Sequence, residues 1–308
     1  MIVLLTGAGA SVPFGYPTTT QFFDGFTPSG RRKETFNYLR NFLRGEVFDV
    51  EIALEILDAS REFMDSRAGQ FLAQRFEPNW RDDVLDLCAA LKSRCFEKYG
   101  ADCGLDAVET VMGPLLEACA WRTQLVSLYT TNYDPIPDRV LEVAAKRGVR
   151  SYDGFQHPVS RWDASGYEAI DEGLRLYRLH GSMSWVRGAD GRVTNTRDYS
   201  AREGGGNHLL IYPGYKGNPQ LEETPMSEAH TALRDDIMRC TTMVSVGFAH
   251  RDPHLQSILD ECCSARPDLR LIVLNPQLPA QLPDCVVEHI AAPLGDPSAI
   301  TRLAAALA

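Results

Sequence analysis

The stretch that decides the fold is MIVLLTGAGASVPFGYP, residues 1–17. Its aliphatic run from Ile2 to Leu5 predicts a short buried strand, because the run is continuously apolar and ends at a glycine-rich turn. This strand is followed directly by Gly7, Ala8, Gly9, Ala10 and Ser11. Glycine lets a ligand approach the main chain, and the free N–H groups at the start of a following helix favour phosphate. The stretch therefore predicts a strand, a turn and a site for a nucleotide diphosphate.

The turn alone does not distinguish this prediction from a plainer one. The dinucleotide fingerprint has the spacing G-x-G-x-x-G, whereas the third glycine here comes late, at Gly15. An acidic residue is expected about twenty residues on, at the end of a second strand. Asp24 has that distance but lies in an aromatic, irregular stretch. An ordinary strand-to-helix turn of an α/β protein would have the same residues, so the decision depends on the rest of the chain.

Small or polar residues end five predicted strands. After the first strand, apolar runs occupy residues 125–129, 174–179, 242–248 and 271–274, and amphipathic segments separate most of them. The residues at the five strand ends are Gly7, Asn132, His180, Gly247 and Asn275. Alternating strands and helices predict an α/β fold with a doubly wound, Rossmann-like parallel sheet. Such sheets bind ligands at the carboxyl ends of their strands, so we expect these five residues to border one crevice.

A mainly helical block separates the first strand from the second. Apolar residues recur every three to four positions in 34–43, 50–57, 80–99 and 105–119, with an expected interruption at Gly113–Pro114. We interpret residues 31–122 as a helical insertion or cap module, and residues 1–30 and 123–308 as the Rossmann-like core. The charged faces of the block are expected to be solvated surface, with a partner site as the alternative.

Asp134, which follows the second strand, and His180 have plainer explanations that stay open at this point. Asp134 can cap a helix that begins near Ile136, with Pro135 in its first turn, which leaves Asn132 unexplained. A lone histidine is more often a satisfied core or surface group than a catalyst. The position of His180 at a strand end favours a functional role.

Composition narrows the function classes. The formal net charge of −10 argues against direct nucleic-acid binding, which depends on clustered Lys and Arg. No apolar run approaches the twenty residues of a membrane span, and the first residues lack the basic region of a signal peptide, so we expect a cytoplasmic protein. The eight cysteines form no C-x-x-C pair. We therefore expect reduced thiols and no metal.

Taken together, these motifs resemble the sirtuin superfamily. The loop Gly7–Ser11 with Gly15-Tyr16-Pro17 resembles the sirtuin G-A-G-x-S…G-x-P loop, and Thr131-Asn132-Tyr133-Asp134 resembles its Gln-Asn-Ile-Asp segment. Leu179-His180-Gly181 resembles the sirtuin His-Gly. The segments Ser245–Phe248 and Arg251–His254 are similar to the glycine-aromatic and Asp-Pro-His stretch of bacterial sirtuin-like domains. Leu274-Asn275-Pro276 matches the asparagine that reaches the adenosine ribose.

The resemblance is nearest to bacterial sirtuin-like NAD hydrolases that act in anti-phage defence by NAD depletion. It implies NAD as substrate, with Asn132 and His180 as catalytic residues. The residues it assigns to binding are Gly7, Ala8, Gly9, Ser11, Pro17, Thr131, Asp134, Gly247, Phe248 and Asn275. Backbone N–H groups of Ala8, Gly9 and Ser11 would bind the pyrophosphate, and Asp134 the carboxamide of nicotinamide. A homo-oligomer is expected, and also a partner ATPase or argonaute-type protein.

Two other functions share these residues. An NAD-dependent protein deacylase would use the same site, but sirtuin deacylases carry a zinc module of two C-x-x-C pairs, which this sequence lacks. The Asp-Phe-Arg that follows the proline in deacylases is replaced by Thr18-Thr19-Thr20. A non-enzymatic sensor of NAD or ADP-ribose is the third possibility. It would need neither a base nor a residue that positions water.

Overall fold

The computed structural model describes residues 1–44, 48–72, 79–156, 161–200, 208–210 and 223–308. Within these ranges the strands are β1 (Ile2–Thr6), β2 (Leu125–Thr130), β3 (Ser151–Tyr152), β4 (Phe155–Gln156), β5 (Arg161–Trp162), β6 (Gly173–Arg178), β7 (Gly181–Arg187), β8 (Val193–Asn195), β9 (His208–Leu210), β10 (Thr242–Val246), β11 (Arg270–Leu274) and β12 (Val286–Ile290). The α-helices are α1 (Gly30–Phe42), α2 (Val50–Asp65), α3 (Arg67–Leu72), α4 (Trp80–Tyr99), α5 (Leu105–Ala118), α6 (Ile136–Lys146), α7 (Met226–Arg239), α8 (Pro253–Ala265) and α9 (Pro297–Leu307). Among the helices of these ranges, none is long and apolar enough to cross a membrane.

Seven strands form one parallel sheet in the order β12-β11-β10-β1-β2-β6-β3. Strand β1 lies at its centre, because it pairs in parallel with β2 on one side and with β10 on the other. The chain first builds the half beyond β2 and then returns to build the half beyond β10. The topological switch point, where open α/β sheets bind ligands, is therefore at the end of β1. This confirms the predicted fold class.

Both faces of the sheet are covered, which explains why its strands are almost continuously apolar. On one face, Leu4 and Leu128 of the sheet share a hydrophobic cluster with Leu54 and Leu87 of the helical block. On the other face, Leu5 and neighbouring strand residues pack against helices α7 and α8. The helical block thus shares one core with the sheet. The division into residues 1–30 with 123–308 and residues 31–122 remains an interpretation.

A second, antiparallel sheet has the order β4-β5-β8-β7-β9 and was not predicted as a sheet. Strands β7 and β8 form an antiparallel hairpin, and β7 begins at Gly181. Gly181 has a φ of +76°, and a Cβ there would lie 2.1 Å from the Leu209 carbonyl oxygen. This turn takes the chain from the parallel sheet to the antiparallel one immediately after His180. Most strands of the second sheet span only two or three residues, too few to show a period.

The expected interruption at Gly113–Pro114 is wrong, because α5 runs through Pro114 from Leu105 to Ala118. A proline inside a helix removes one backbone hydrogen bond and costs about 3 kcal/mol. Helix α5 offsets this cost through its buried face, which includes Val108, Met112, Leu115 and Leu116. Burying a side chain of this size contributes about 1.5–3 kcal/mol, so packing outweighs the local preference.

The glycines of the first turn serve close backbone packing. A Cβ on Gly7 would lie 2.7 Å from the Phe248 Cα, and one on Gly9 would lie 2.8 Å from the Gly247 Cα. Gly247 itself has a φ of +60°, and its added Cβ would be 2.2 Å from the Ala10 nitrogen. The loops after β1 and β10 therefore touch through their main chains, and Gly247 is required for both its conformation and its lack of a side chain.

Replacing Gly247 by alanine tests this contact. We expect Gly247→Ala to lower the free energy of unfolding by about 1–3 kcal/mol more than Gly25→Ala does, because its Cβ must displace backbone. Gly25 is a matched control, since its φ is +72° but nothing lies within 4 Å of the point that a Cβ would occupy there. Denaturant unfolding of both variants measures the difference. Equal destabilisation would show that the two loops are not in tight contact.

Candidate functional site

The candidate site lies where neighbouring strands of the parallel sheet end. Thr6 of β1 is paired with Thr130 of β2, and Thr130 is paired with Arg178 of β6. Asn132 and His180 each lie two residues beyond these pairs, so they leave adjacent strands at the same edge. Neighbouring strands are about 4.8 Å apart. The fold thus brings these two residues to one end of the sheet from positions 48 residues apart in the sequence.

The side-chain amide of Asn132 joins the loop after β2 to the loop after β1. Its Nδ2 donates to the Gly7 carbonyl oxygen at 2.9 Å and to the Ser11 Oγ at 2.8 Å. These two bonds use both amide hydrogens and fix the orientation of the amide. The Asn132 Oδ1 is therefore the remaining group of this side chain, and it can accept a hydrogen bond from a hydroxyl or from water.

Asp134 holds Ser11, the hydroxyl partner of the Asn132 amide, in place. Its Oδ2 accepts a hydrogen bond from the Ser11 Oγ at 2.6 Å, and its Oδ1 accepts one from the backbone N–H of Ile136 at 3.0 Å. Burial raises the pKa of Asp134, while these two bonds and the charge of Arg178 act in the opposite direction. The second bond satisfies an N–H of the first turn of α6, as the plainer explanation expected. The contact of Asp134 with the carboxamide of nicotinamide remains a prediction.

The Gly7–Ser11 loop differs in one respect from the expected phosphate site. No α-helix follows β1 directly; Ala8–Ala10 and Val12–Phe14 are single turns of 3-10 helix. The N–H of Gly9 donates to the Gly247 carbonyl oxygen at 2.8 Å, and the N–H of Ser11 donates to the Ala8 carbonyl oxygen at 3.1 Å. Both N–H groups are thus bonded within the protein in this structure, the first to the loop after β10 and the second within its own turn. The binding of pyrophosphate by this loop remains a prediction.

His180 is almost completely buried, with 2% of its side chain exposed, and its ring contacts the carboxylate of Asp252. The His180 Nε2 lies 2.8 Å from the Asp252 Oδ2. This contact places a proton on Nε2, so that Nδ1 is the acceptor in the neutral ring. The Nδ1 atom is buried and has no hydrogen-bond partner among the described residues. The imidazole is thus held in one tautomer with its basic nitrogen free.

Asp252 is a functional candidate that was not predicted from the sequence. Its Oδ1 accepts hydrogen bonds from the N–H groups of His254 and Leu255, which caps α8. Burial would raise the pKa of Asp252, but the bond and charge of His180 and these backbone bonds lower it to about 2. Asp252 therefore stays ionised at neutral pH. A polar residue between a strand end and a helix start is the signal that identified Asn132, and the same rule would have found Asp252.

His230 of α7 is a second buried histidine that was not predicted. Neither of its ring nitrogens has a hydrogen-bond partner in the described part of the chain, and its ring lies 4.7 Å from that of His254. Burial, together with the nearby His180 and His254, lowers the pKa of His230 to about 3. It is therefore neutral near His180 at physiological pH. No pattern in an amphipathic helix distinguishes such a histidine from its exposed neighbours.

A small cavity of about 40 Å³ opens beside Asn132. On the core side its lining includes Ala8, Ser11, Pro17, Thr131, Asn132 and Asp134. On the side of the helical block it includes Val50, Glu51, Cys95 and Tyr99. The helical block therefore contributes directly to the candidate site, which corrects the expectation that its polar faces are only solvated surface. Sequence periodicity could not show this, because it identifies the buried face of a helix and not what that face meets.

The structure brings together seven of the predicted residues and separates the others. Around the loop and the cavity lie Gly7, Ala8, Ser11, Pro17, Thr131, Asn132 and Asp134. Behind them, Gly9, Gly247 and Phe248 pack loop against loop. His180 is not among the described residues that line the cavity. Asn275 lies two strands from β1, at the end of β11, and its carbonyl oxygen is 2.9 Å from the His289 Nε2.

The described ranges contain no group of three or more His, Cys, Asp or Glu side chains that could hold a metal ion. The eight cysteines are free thiols. Six of them are buried, and Cys103 and Cys285 are partly exposed.

Comparison with known proteins adds two findings. A family model described as SIR2-like domain matches residues 126–286, just over half of the chain. Among solved structures, a Sir2 homologue in complex with NAD is 16% identical with a TM-score of 0.50, over 100% of this chain and 90% of that chain. A mutant Sir2 homologue in complex with 2′-O-acetyl ADP-ribose is 16% identical with a TM-score of 0.48. The match covers 100% of this chain and 93% of that chain. At such identity the first of these structures supports the fold alone. No curated protein sequence matches the chain.

The pairing of His180 with Asp252 predicts a pH dependence of stability. The pKa of Asp252 falls from 3.8 to about 2 on folding, so the pair stabilises the fold above about pH 4. We expect Asp252→Asn to lower the free energy of unfolding by about 2 kcal/mol at pH 6, because the cap survives but the charge is lost. The difference from the wild type should shrink as the pH falls from 4 towards 2. Denaturant unfolding at several pH values measures it, and a difference independent of pH would contradict the ion pair.

Proposed function

The chain belongs to the SIR2-like domain family, and on this premise we propose that it is an NAD glycohydrolase. The reaction consumes NAD and water and gives nicotinamide, ADP-ribose and one proton. Nicotinamide needs no protonation to leave, because its ring nitrogen is already cationic and takes the bonding electrons. The site must therefore hold the ribose, stabilise an oxocarbenium-like carbon and supply water. A general acid for the leaving group is not needed.

The observation that carries the proposal is the fixed amide of Asn132 beside the Gly7–Ser11 loop. Both amide hydrogens are bound to Gly7 and Ser11, so Oδ1 is left as a pre-oriented acceptor. Groups held in advance in the right geometry contribute strongly to catalysis, since they need no reorganisation during the reaction. We assign Asn132 to the orientation of water and of the ribose hydroxyls.

His180 is the proposed general base. An imidazole with a free Nδ1 can remove a proton from water or from a ribose hydroxyl, and imidazole is the side chain best suited to this task near neutral pH. Asp252 acts as its positioning residue, because its carboxylate lies 2.8 Å from the Nε2 and would stabilise the imidazolium that forms. His180 is buried in the structure, and catalytic contacts often tighten only when substrate is bound.

The proposed NAD contacts follow the strand order. Asn275 at the end of β11 is assigned to the adenosine ribose, and Asn132 at the end of β2 to the nicotinamide riboside. Three strand spacings separate these ends, about 14 Å. An extended dinucleotide laid across the switch point would pass the Gly7–Ser11 loop at its diphosphate. The N–H of Ala8 has no backbone acceptor among the described residues, so it is the group we assign to the phosphate.

We further propose that the enzyme depletes NAD as an effector of bacterial anti-phage defence. The support is the resemblance of the loop, Asn-x-Asp, His-Gly and Asp-Pro-His motifs to such effectors. Destructive hydrolysis of NAD requires control, so we also propose an oligomer or a partner ATPase or argonaute-type protein as the activating assembly.

Product analysis tests the proposed activity. The protein is incubated with NAD, alone and with an acetylated peptide, and nicotinamide and ADP-ribose are separated by chromatography. Peptide-independent release of both products supports hydrolysis. Release that requires the peptide would identify the deacylase instead. Calorimetric binding of NAD without any product would identify a sensor.

Alanine substitution tests the assignment of Asn132 and His180. We expect Asn132→Ala and His180→Ala to lower the rate of nicotinamide release at least about a hundredfold, because each removes a group that acts on the attacking water. Binding of NAD, followed by calorimetry, should persist.

Asn37→Ala is a suitable control, since this asparagine is exposed on α1, and it should keep the wild-type rate. Thermal unfolding of all variants identifies any loss of fold. A folded Asn132→Ala protein with full turnover would remove the assignment.

A further inference from the structure

The helical block carries two polar side chains into the cavity beside Asn132. Glu51 lies in the first turn of α2, and Tyr99 is the last residue of α4. Both line the cavity that Asn132 and Thr131 line from the core side. The N-terminal end of α2 is held against the core, because the N–H of Val50 donates to the Thr19 carbonyl oxygen at 3.4 Å. The two helices therefore form one wall of the candidate site.

Tyr99 presents a hydroxyl that lacks a partner among the described residues. The residue is 7% exposed, and its hydroxyl is buried without a hydrogen bond. Its ring is fixed by a stacked contact with Phe22 at 6.0 Å and an edge contact with Tyr133 at 6.4 Å. A buried hydroxyl without a partner costs about 1–3 kcal/mol, so such a group usually meets a bound molecule. The cavity is the space into which it can donate.

Glu51 presents a carboxyl group with no ion pair among the described residues. It is only partly exposed. Burial raises the pKa of Glu51 well above its usual value, and the charges of Asp49 and Asp252 act in the same direction against that of Arg251. A neutral carboxylic acid can both donate and accept a hydrogen bond. The cavity is therefore bordered by the Tyr99 hydroxyl and the Glu51 carboxyl group from the helices, and by the Asn132 amide from the core.

The volume of the cavity limits the size of the molecule that it can hold. A buried water needs about 10–15 Å³ of space and two to four polar partners. Pockets for ligands of the size of nicotinamide riboside and larger run to hundreds of Å³. A volume of about 40 Å³ therefore accommodates two or three water molecules and is far too small for a whole dinucleotide.

We propose that Glu51 and Tyr99 position the hydrolytic water against the Asn132 amide, so that the helical block supplies half of the water site. This inference rests on the proposed function. In the reaction, nicotinamide leaves with the electrons of the glycosidic bond, and the water oxygen forms a new bond to the ribose carbon. The proton that the water loses goes to His180, the proposed base. Glu51 and Tyr99 are water-positioning residues and do not contact the leaving group.

Partition between two nucleophiles tests the proposal. Wild type, Tyr99→Phe and Glu51→Leu are incubated with NAD and labelled nicotinamide, and two rates are measured: formation of ADP-ribose and exchange of label into NAD. We expect the ratio of exchange to hydrolysis to rise about five- to tenfold in both variants, since loss of one hydrogen bond to the water weakens its capture by about that factor. The total rate of cleavage should change less than about twofold.

Three further variants complete the test. Glu51→Gln retains a donor and an acceptor, so it should restore the wild-type ratio. Tyr38→Phe and Glu34→Leu alter exposed positions of α1 and should leave the ratio unchanged. Thermal unfolding of all variants identifies any loss of fold.

The outcomes separate this inference from the proposed function. If the wild type hydrolyses NAD and the ratio is unchanged in folded Tyr99→Phe and Glu51→Leu, the water site is wrong while the hydrolase stands. A parallel fall in exchange and hydrolysis would equally overturn it, since the residues would then act on cleavage or on folding. If the wild type releases no nicotinamide, both proposals fail together.

Discussion

The candidate site depends on one side-chain amide that joins two loops. Asn132 donates to the Gly7 carbonyl oxygen and to the Ser11 Oγ, and Ser11 in turn donates to Asp134. These bonds link the ends of β1 and β2 at the point where the strand order reverses. Because all of them are short and mostly shielded from water, the loops and the free Oδ1 form one rigid unit. Removing the amide would leave the Gly7 carbonyl and the Ser11 hydroxyl without this donor. Asn132 therefore stabilises the two loops as well as having the proposed role in the reaction.

Ionised groups at this edge are held in a similar way. Arg178 ends β6 and is buried, with its guanidinium 3.1 Å from Asp138, 3.0 Å from the Tyr199 hydroxyl and 3.3 Å from the Asp134 carbonyl oxygen. His180 lies beyond the same strand, and its ring contacts the carboxylate of Asp252, which follows β10. Buried charges are tolerated only where they are paired and hydrogen-bonded, and these are. The edge of the sheet is thus a polar layer whose members have little freedom to reorient.

The sequence predicted the parallel sheet and much of this edge, because both follow from local patterns. A continuous apolar run that stops at a polar or glycine residue identifies a buried parallel strand and its carboxyl end, and Gly7, Asn132 and His180 were found in this way. The pattern could not predict which side chains and backbone groups from distant parts of the sequence contact each other. The glycines of the first turn proved to serve contact with Gly247, and the N–H of Gly9 is bound there. Glu51 and Tyr99 were not predicted for the same reason, since helical periodicity does not report what a helix faces.

On the proposed function, the helical block influences which product forms after the nicotinamide–ribose bond is cleaved. Cleavage of the nicotinamide–ribose bond leaves an electron-poor carbon, and the product then depends on the nucleophile that is already in place. An acyl oxygen at that position leads to deacylation, whereas a held water leads to hydrolysis. The roles proposed for Asn132 and His180 serve either outcome. The side chains of Tyr99 and Glu51 line the cavity beside the Asn132 amide, and the proposed water between them favours the second outcome. On the proposed function, the helical block thereby directs the reaction towards hydrolysis.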